Sequence, residues 1–211
     1  MPWKVNDNEP ELIQHEILDF GVKYEKLELD ISSENATEIL FNEVKNKLGS
    51  PLVLVNNVIY STQTTIDNLT GKELDKHYDV NLKATTLLTI EFIKQFDYNE
   101  NGRIINLSSG QSLGQIPNEM AYAITKGAVE TLTYTLFQEI ASKGVTINAV
   151  NPGPNGTGWM DKEIKKELLS QFPMNRIRIP KDTAKLIGFL VSGYAEWITG
   201  QIINSEGGFK R

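Results

Sequence analysis

Cysteine is absent from the 211 residues, and histidine occurs only twice, at His15 and His77. Neither a disulfide framework nor a thiolate metal site can form, and with so few imidazoles no metal centre is expected. Long apolar runs are missing as well: the longest, 52–55 and 186–191, fall far short of the ~20 residues that a membrane-spanning helix needs. Basic excess is also lacking, since 21 Lys and Arg face 27 Asp and Glu for a formal net charge of -6. Lys162, Lys165 and Lys166 alternate with Glu163 and Glu167, as on a solvated helix face. Nucleic acid is therefore not an expected partner. Residues 1–7 carry no apolar leader, which sets the expectation of a cytoplasmic protein without a membrane partner. Finally, no Gly-x-Gly-x-x-Gly cluster precedes Asp30. The common strand-turn-helix cradle for a pyrophosphate is thus not written there.

What is present suits one globular domain, 1–211, at 40% hydrophobic and 23% charged residues with no linker-like stretch. Helices are predicted over 9–20, 36–48, 71–96, 120–142, 160–171 and 181–192, several ended by glycine, as at Gly21 and Gly49. Between them lie short apolar runs at 25–31, 51–56, 103–107, 145–150 and 200–204, read as strands. The run 51–56 is apolar enough to be buried on both faces. Strands alternating with helices of this length mean βαβ units, hence an α/β fold with a Rossmann-like parallel sheet flanked by helices.

The chemistry-bearing residues cluster late in the chain. Tyr122 and Lys126 stand one helical turn apart at the start of a helix whose apolar stripe is Val129, Leu132, Leu136 and Ile140. Chance alone gives about half a Tyr-x-x-x-Lys match in a chain of this composition, so the pair by itself equally describes a tyrosine packed along a lysine stem. Ser109 lies where the strand 103–107 runs out, as a site residue or a turn serine. Asn81 falls within the stripe Leu74, Tyr78, Thr85, Leu88 and Phe92. A buried amide there is either a structural lock or part of a polar site, because unsatisfied it costs about 1–3 kcal/mol. A rival motif, Gly110-Gln111-Ser112-Leu113-Gly114, matches a serine-hydrolase elbow. Both histidines precede it, however, and Pro117 interrupts the helix an elbow requires.

Taken in order, these residues resemble the short-chain dehydrogenase/reductase family, over about residues 23–209. Leu29-Asp30-Ile31-Ser32 is similar to the family's adenine-contacting segment, and Leu54-Val55-Asn56-Asn57 to the motif after its fourth strand. Asn81, Ser109, Tyr122 and Lys126 match its catalytic tetrad. Asn151-Pro152-Gly153-Pro154-Asn155-Gly156-Thr157 resembles the loop beside the nicotinamide, and residues 198–208 the last strand and turn. The nearest flavour is the classical branch that includes 3-oxoacyl-acyl-carrier-protein reductases. The resemblance implies a hydride-transfer enzyme for a small-molecule carbonyl or alcohol. Tyr122 would be its general acid/base, Ser109 would polarise the carbonyl, and Lys126 would hold the nicotinamide ribose and favour the tyrosinate. Asn81 would link Lys126 through water. NAD or NADP is the implied cofactor, bound by Asp30, Ile31, Asn57, Tyr122, Lys126, Pro152, Gly153, Asn155 and Thr157. The substrate would be walled by 111–119, Trp159 and Met160. Homo-oligomers, dimer or tetramer, form in the family through helices like those at 71–96 and 120–142.

Two departures shape further expectations. The glycine cluster is absent, and Val58-Ile59 stand where the family has Ala-Gly, crowding the ribose. A non-catalytic remnant or interaction subunit is therefore the alternative reading, and weak cofactor binding is expected. The fold is also expected to be incomplete at its N-terminal end, with the strand 25–31 moved in to pair with 51–56. That gives a five-stranded parallel sheet and displaces Asp30 from the adenine site. An ammonium about 4 Å from the Tyr122 oxygen would lower the phenol's pKa by about 3 units.

Overall fold

The computed structural model describes residues 9–154 and 168–210. In chain order these residues form α1 (Glu9–Leu18), α2 (Ala36–Lys47), β1 (Val53–Asn56), α3 (Gly71–His77), a π-helical stretch (Tyr78–Lys83) and α4 (Ala84–Gln95). Then follow β2 (Gly102–Leu107), α5 (Met120–Ala141), β3 (Val145–Asn151), α6 (Pro180–Val191) and β4 (Ile202–Asn204). The strands make one parallel sheet in the order β1-β2-β3-β4.

Alternation along β2 explains the layers, because successive side chains of a strand point to opposite faces. Ile104 packs with Phe41, Leu88, Phe92, Ile93, Phe96, Ile140, Val145 and Ile147 on the face covered by α2, α4 and α5. Ile105 and Leu107 turn the other way, to Val150, Leu190 and Ala195 under α6. Buried asparagines stitch the layers at their polar points. Asn56 donates to Asn106 (2.8 Å) and to Thr89 (3.1 Å), and Asn106 donates to Thr133 on α5 (3.1 Å).

Among the described residues, the helices predicted over 9–20, 36–48, 71–96, 120–142 and 181–192, and the strands after residue 100, are where the periodicity puts them. The front of the chain is not. Residues 22–30 form no strand, and among the described residues no backbone hydrogen bond joins 25–31 to 51–56. The five-stranded rearrangement is therefore wrong, and the described sheet has four strands. The 51–56 run is also not buried on both faces: β1 is an edge strand, with Val53 41% and Val55 39% exposed. An apolar run reports what a strand can bury, not whether a neighbour is there to bury it. An apolar groove opens beside this edge, lined by Leu40, Phe41, Val44, Leu48, Val53 and Leu54. It begins at Gly49–Pro51, the amino end of β1, away from the polar groups described next.

The helix predicted over 71–96 is continuous but not uniformly α. Its π-helical stretch carries Asn81, which has no exposed surface. Such wide turns are short, strained relative to α-helix and often sit at functional sites.

Candidate active site

Parallel sheets present ligand sites beyond the carboxyl ends of their strands, and the candidate residues gather there. Ser109 follows β2, Asn57 follows β1, and Pro152-Gly153 follow β3. Helix α5 brings the other half of the site, fastened to β2 and its exit at successive turns. The Tyr122 phenol stands near the Ser109 hydroxyl, close enough for that hydroxyl to pull its pKa down. The Lys126 Nζ donates to the Leu107 carbonyl at 2.5 Å. Glu130 accepts from the Ser108 hydroxyl at 2.6 Å, and Thr133 accepts from Asn106. The spacing 122, 126, 130, 133 is one face of a helix, so a single packing contact fixes every group.

Lys126 is buried to 2% exposure, and its Nζ lies 5.8 Å from the centroid of the Tyr122 ring. Burial disfavours the ammonium and lowers its pKa to about 8. Burial likewise disfavours the phenolate: the Tyr122 pKa is raised to about 12, with the Ser109 hydroxyl pulling down and the Glu119 charge pushing further up. This corrects the expectation that Lys126 would bring Tyr122 toward neutrality. Desolvation is the dominant cause, and the Lys126 ammonium is turned to the Leu107 carbonyl.

Asn81 acts in the structure as a lock. Its Oδ1 accepts from the Tyr60 N–H at 2.7 Å, and its Nδ2 donates to the Tyr60 carbonyl (2.8 Å) and to Thr125 Oγ1 (3.1 Å). The side chain thus pairs with Tyr60 as a neighbouring strand would, and ties the loop after β1 to α5. None of these bonds reaches Lys126, so a relay between the two is not among the direct contacts. The same loop is braced a second time. The Tyr60 hydroxyl donates to Glu73 at 2.8 Å, Thr62 bonds the same carboxylate oxygen, and buried His77 packs edge-on against the Tyr60 ring.

The remaining residues are less drawn together. Asp30 sits in an exposed turn, where Ser32 donates to its carboxylate from both N–H (3.0 Å) and hydroxyl (2.7 Å), lowering its pKa. Ile31 is half-buried in that turn, Asn57 is exposed, and Val58 and Ile59 also stand exposed. Gly153 needs its freedom: φ is +70°, and a Cβ there would come within 3.0 Å of the Glu206 side chain. Asn155, Thr157, Trp159, Met160 and most of the predicted 160–171 helix lie outside the described residues. Sequence reasoning missed Ser108, Glu130, Thr64 and Thr125. Glu130 alone had a visible signal, its i+4 spacing from Lys126. Among the described residues no group of three or more His, Asp or Glu is placed to hold a metal ion. No described helix is long and apolar enough to cross a membrane.

A buried lysine, a phenol and a serine hydroxyl thus gather at the carboxyl edge of a parallel sheet flanked by helices. The family model described as enoyl-(acyl carrier protein) reductase matches residues 3–210. An oxidoreductase of Bacillus subtilis, YjdA, is 46% identical over 211 residues, covering 99% of this chain and 84% of its own length. The 3-oxoacyl-[acyl-carrier-protein] reductase FabG of Staphylococcus aureus is 32% identical over 201 residues, 94% of this chain and 82% of that protein. Among solved structures, the angucycline C-6 ketoreductase LanV with bound NADP superposes with a TM-score of 0.86 at 25% identity, over 94% of this chain and 80% of that one. A Serratia marcescens short-chain dehydrogenase/reductase gives 0.90 at 22% identity, over 99% and 86%, a likeness of fold. The chain belongs to the short-chain dehydrogenase/reductase family.

Proposed function

We propose that this protein is a cytoplasmic, NAD(P)(H)-dependent oxidoreductase that interconverts a small-molecule carbonyl and its alcohol, with Tyr122 as general acid/base. The juxtaposition of Ser109, Tyr122 and the anchored, buried Lys126 carries this reading. A nicotinamide cofactor, when bound, supplies or accepts the hydride. The chain's own residues handle the proton. Ser109 donates to the carbonyl oxygen and polarises it, and the Tyr122 phenol passes its proton to that oxygen as negative charge develops there. A phenol whose pKa is raised to about 12 is fully protonated near neutrality, which suits the reductive direction. Lys126, still mostly an ammonium at pH 7, holds positive charge beneath the pair.

For the cofactor, the residues fit at one end better than at the other. Tyr122, Lys126 and the Pro152-Gly153 backbone, with Asn155 and Thr157, would meet the nicotinamide end, and Asp30, Ile31 and Asn57 the adenine end. Val58 and Ile59, both exposed, stand where the family resemblance has Ala-Gly beside the ribose, and their branched side chains would crowd it. Weak binding follows. Titration with NADPH or NADH, read by cofactor fluorescence, is expected to need concentrations above the micromolar range, and micromolar saturation would contradict this. The exposed apolar edge of β1 favours the competing reading, a non-catalytic interaction subunit. The two readings separate on turnover. A homo-oligomer, dimer or tetramer, is supported by exposed Leu74, Tyr78, Leu87, Ile124 and Tyr134 on the long helices.

The lowered lysine pKa gives a pH prediction. Above about pH 8 Lys126 loses its proton while Tyr122 keeps its own, so the reduction rate is expected to fall with a single alkaline limb near 8. A profile flat to pH 10 would remove Lys126 from the charge balance of the step.

A further inference from the structure

One ionisable group beside the site has no part in the proton transfer just described. Glu119 opens α5 as its N-cap residue, three positions before Tyr122, yet its side chain makes no capping hydrogen bond. Its backbone is held on both sides by buried Thr64. The Thr64 N–H donates to the Asn118 carbonyl at 2.8 Å, the Met120 N–H to the Thr64 carbonyl at 3.1 Å, and the Ala121 N–H to Thr64 Oγ1 at 3.0 Å. Asn118 adopts a left-handed conformation, φ 61°, and the Ala123 N–H closes the first helical turn on the Glu119 carbonyl at 2.9 Å. The position of Glu119 is therefore fixed by contacts between two loops.

The side chain held there is half-buried, and among the described residues its carboxylate has no hydrogen-bond or ion-pair partner. Burial pushes its pKa up, and none of the described residues supplies a cation that compensates it. Its charge reaches the Tyr122 phenol and helps push that group up as well. A carboxylate partly withdrawn from water and left unpaired is unfavourable, and a helix start does not require one that does not cap.

Its position has a consequence for catalysis. Negative charge develops on the substrate oxygen beside Tyr122, and a second negative charge close by opposes it when the substrate is neutral. A cationic group on the substrate, seated against Glu119, reverses both effects: it pairs the carboxylate and favours the charge developing on the oxygen. We infer that Glu119 is a specificity-determining residue that selects carbonyl or alcohol substrates carrying a protonated nitrogen a few bonds from the reacting carbon. The inference rests on the oxidoreductase reading above and narrows its substrate class.

Two ketones of equal size separate charge from shape: 1-methyl-4-piperidone, protonated near neutral pH, and 4-methylcyclohexanone, which is neutral. With NADPH or NADH supplied, the wild-type protein is expected to favour the amine in kcat/KM by about tenfold or more, the scale of one charge pair in a partly desolvated site. In Glu119→Gln that ratio should fall to near one. The ratio is taken within each protein, so a loss of folded fraction cancels. A wild-type ratio near one, or a ratio that survives in Glu119→Gln, overturns the inference. Calorimetric titration of both ketones answers the same question without turnover. Selective binding of the amine that Glu119→Gln abolishes would support Glu119 even if neither ketone were reduced, a result that would instead count against the oxidoreductase reading. Equal binding of both ketones would overturn the inference.

Discussion

Tyr122→Phe is expected to lower carbonyl reduction by about 10²-fold or more while leaving the protein folded, because it deletes only the proton that the step must deliver. The ring keeps its place: Tyr122 is partly buried at the start of α5, and the 22-residue helix does not depend on the hydroxyl. Ser109 loses its phenol neighbour but stands at the edge of the site, where water can take the place of the hydroxyl. The measurement is steady-state turnover alongside circular dichroism and a melting curve. Full activity in the phenylalanine variant would remove Tyr122 from the mechanism, and loss of fold would leave its role to be read from Ser109→Ala, for which a smaller loss in kcat is expected.

The largest structural effect is expected at Phe92→Ala. Phe92 is 1% exposed, stacks on Phe96 at 5.7 Å between ring centroids, and joins α2, α4 and the sheet through Phe41 and Ile104. Removing a buried phenyl group costs about 3–5 kcal/mol, the lost burial plus the cavity left behind. In a chain of this size that lowers Tm by on the order of 10 °C. Ile66→Ala, at a side chain 89% exposed, is expected to change stability by less than about 0.5 kcal/mol. Equal effects at the two positions would mean that the Phe92 cluster is not the core of this fold.

The parts of the molecule that were legible in the sequence are those whose signals are local. α5 was readable from its apolar stripe, and β2 and β3 from short apolar runs between turn residues. Their exits carry Ser109 and Pro152-Gly153 because a parallel sheet leaves its loops there. What was not legible depends on partners distant in sequence. The run 25–31 has a strand-like pattern, but a strand exists only where a neighbour offers its edge, and β1 is not so joined. The π-helical stretch around Asn81 escapes notice because one wide turn barely disturbs the spacing of the stripe. The direction of the Tyr122 shift required the competition between burial and charge to be settled in three dimensions, with Lys126 turned to the Leu107 carbonyl. Glu119 and Thr64 meet across more than fifty residues, a contact that no periodicity announces.

The central claim is that this site moves a hydride to a carbonyl carbon while Tyr122 moves a proton to the oxygen. Reduction of a ketone with cofactor deuterated at the transferring carbon, in ordinary water, tests it most directly. The account predicts deuterium on the carbinol carbon of the product from the wild-type protein, and a loss of that product of about 10²-fold in Tyr122→Phe. Product lacking deuterium at that carbon, or the same yield from both proteins, would contradict it.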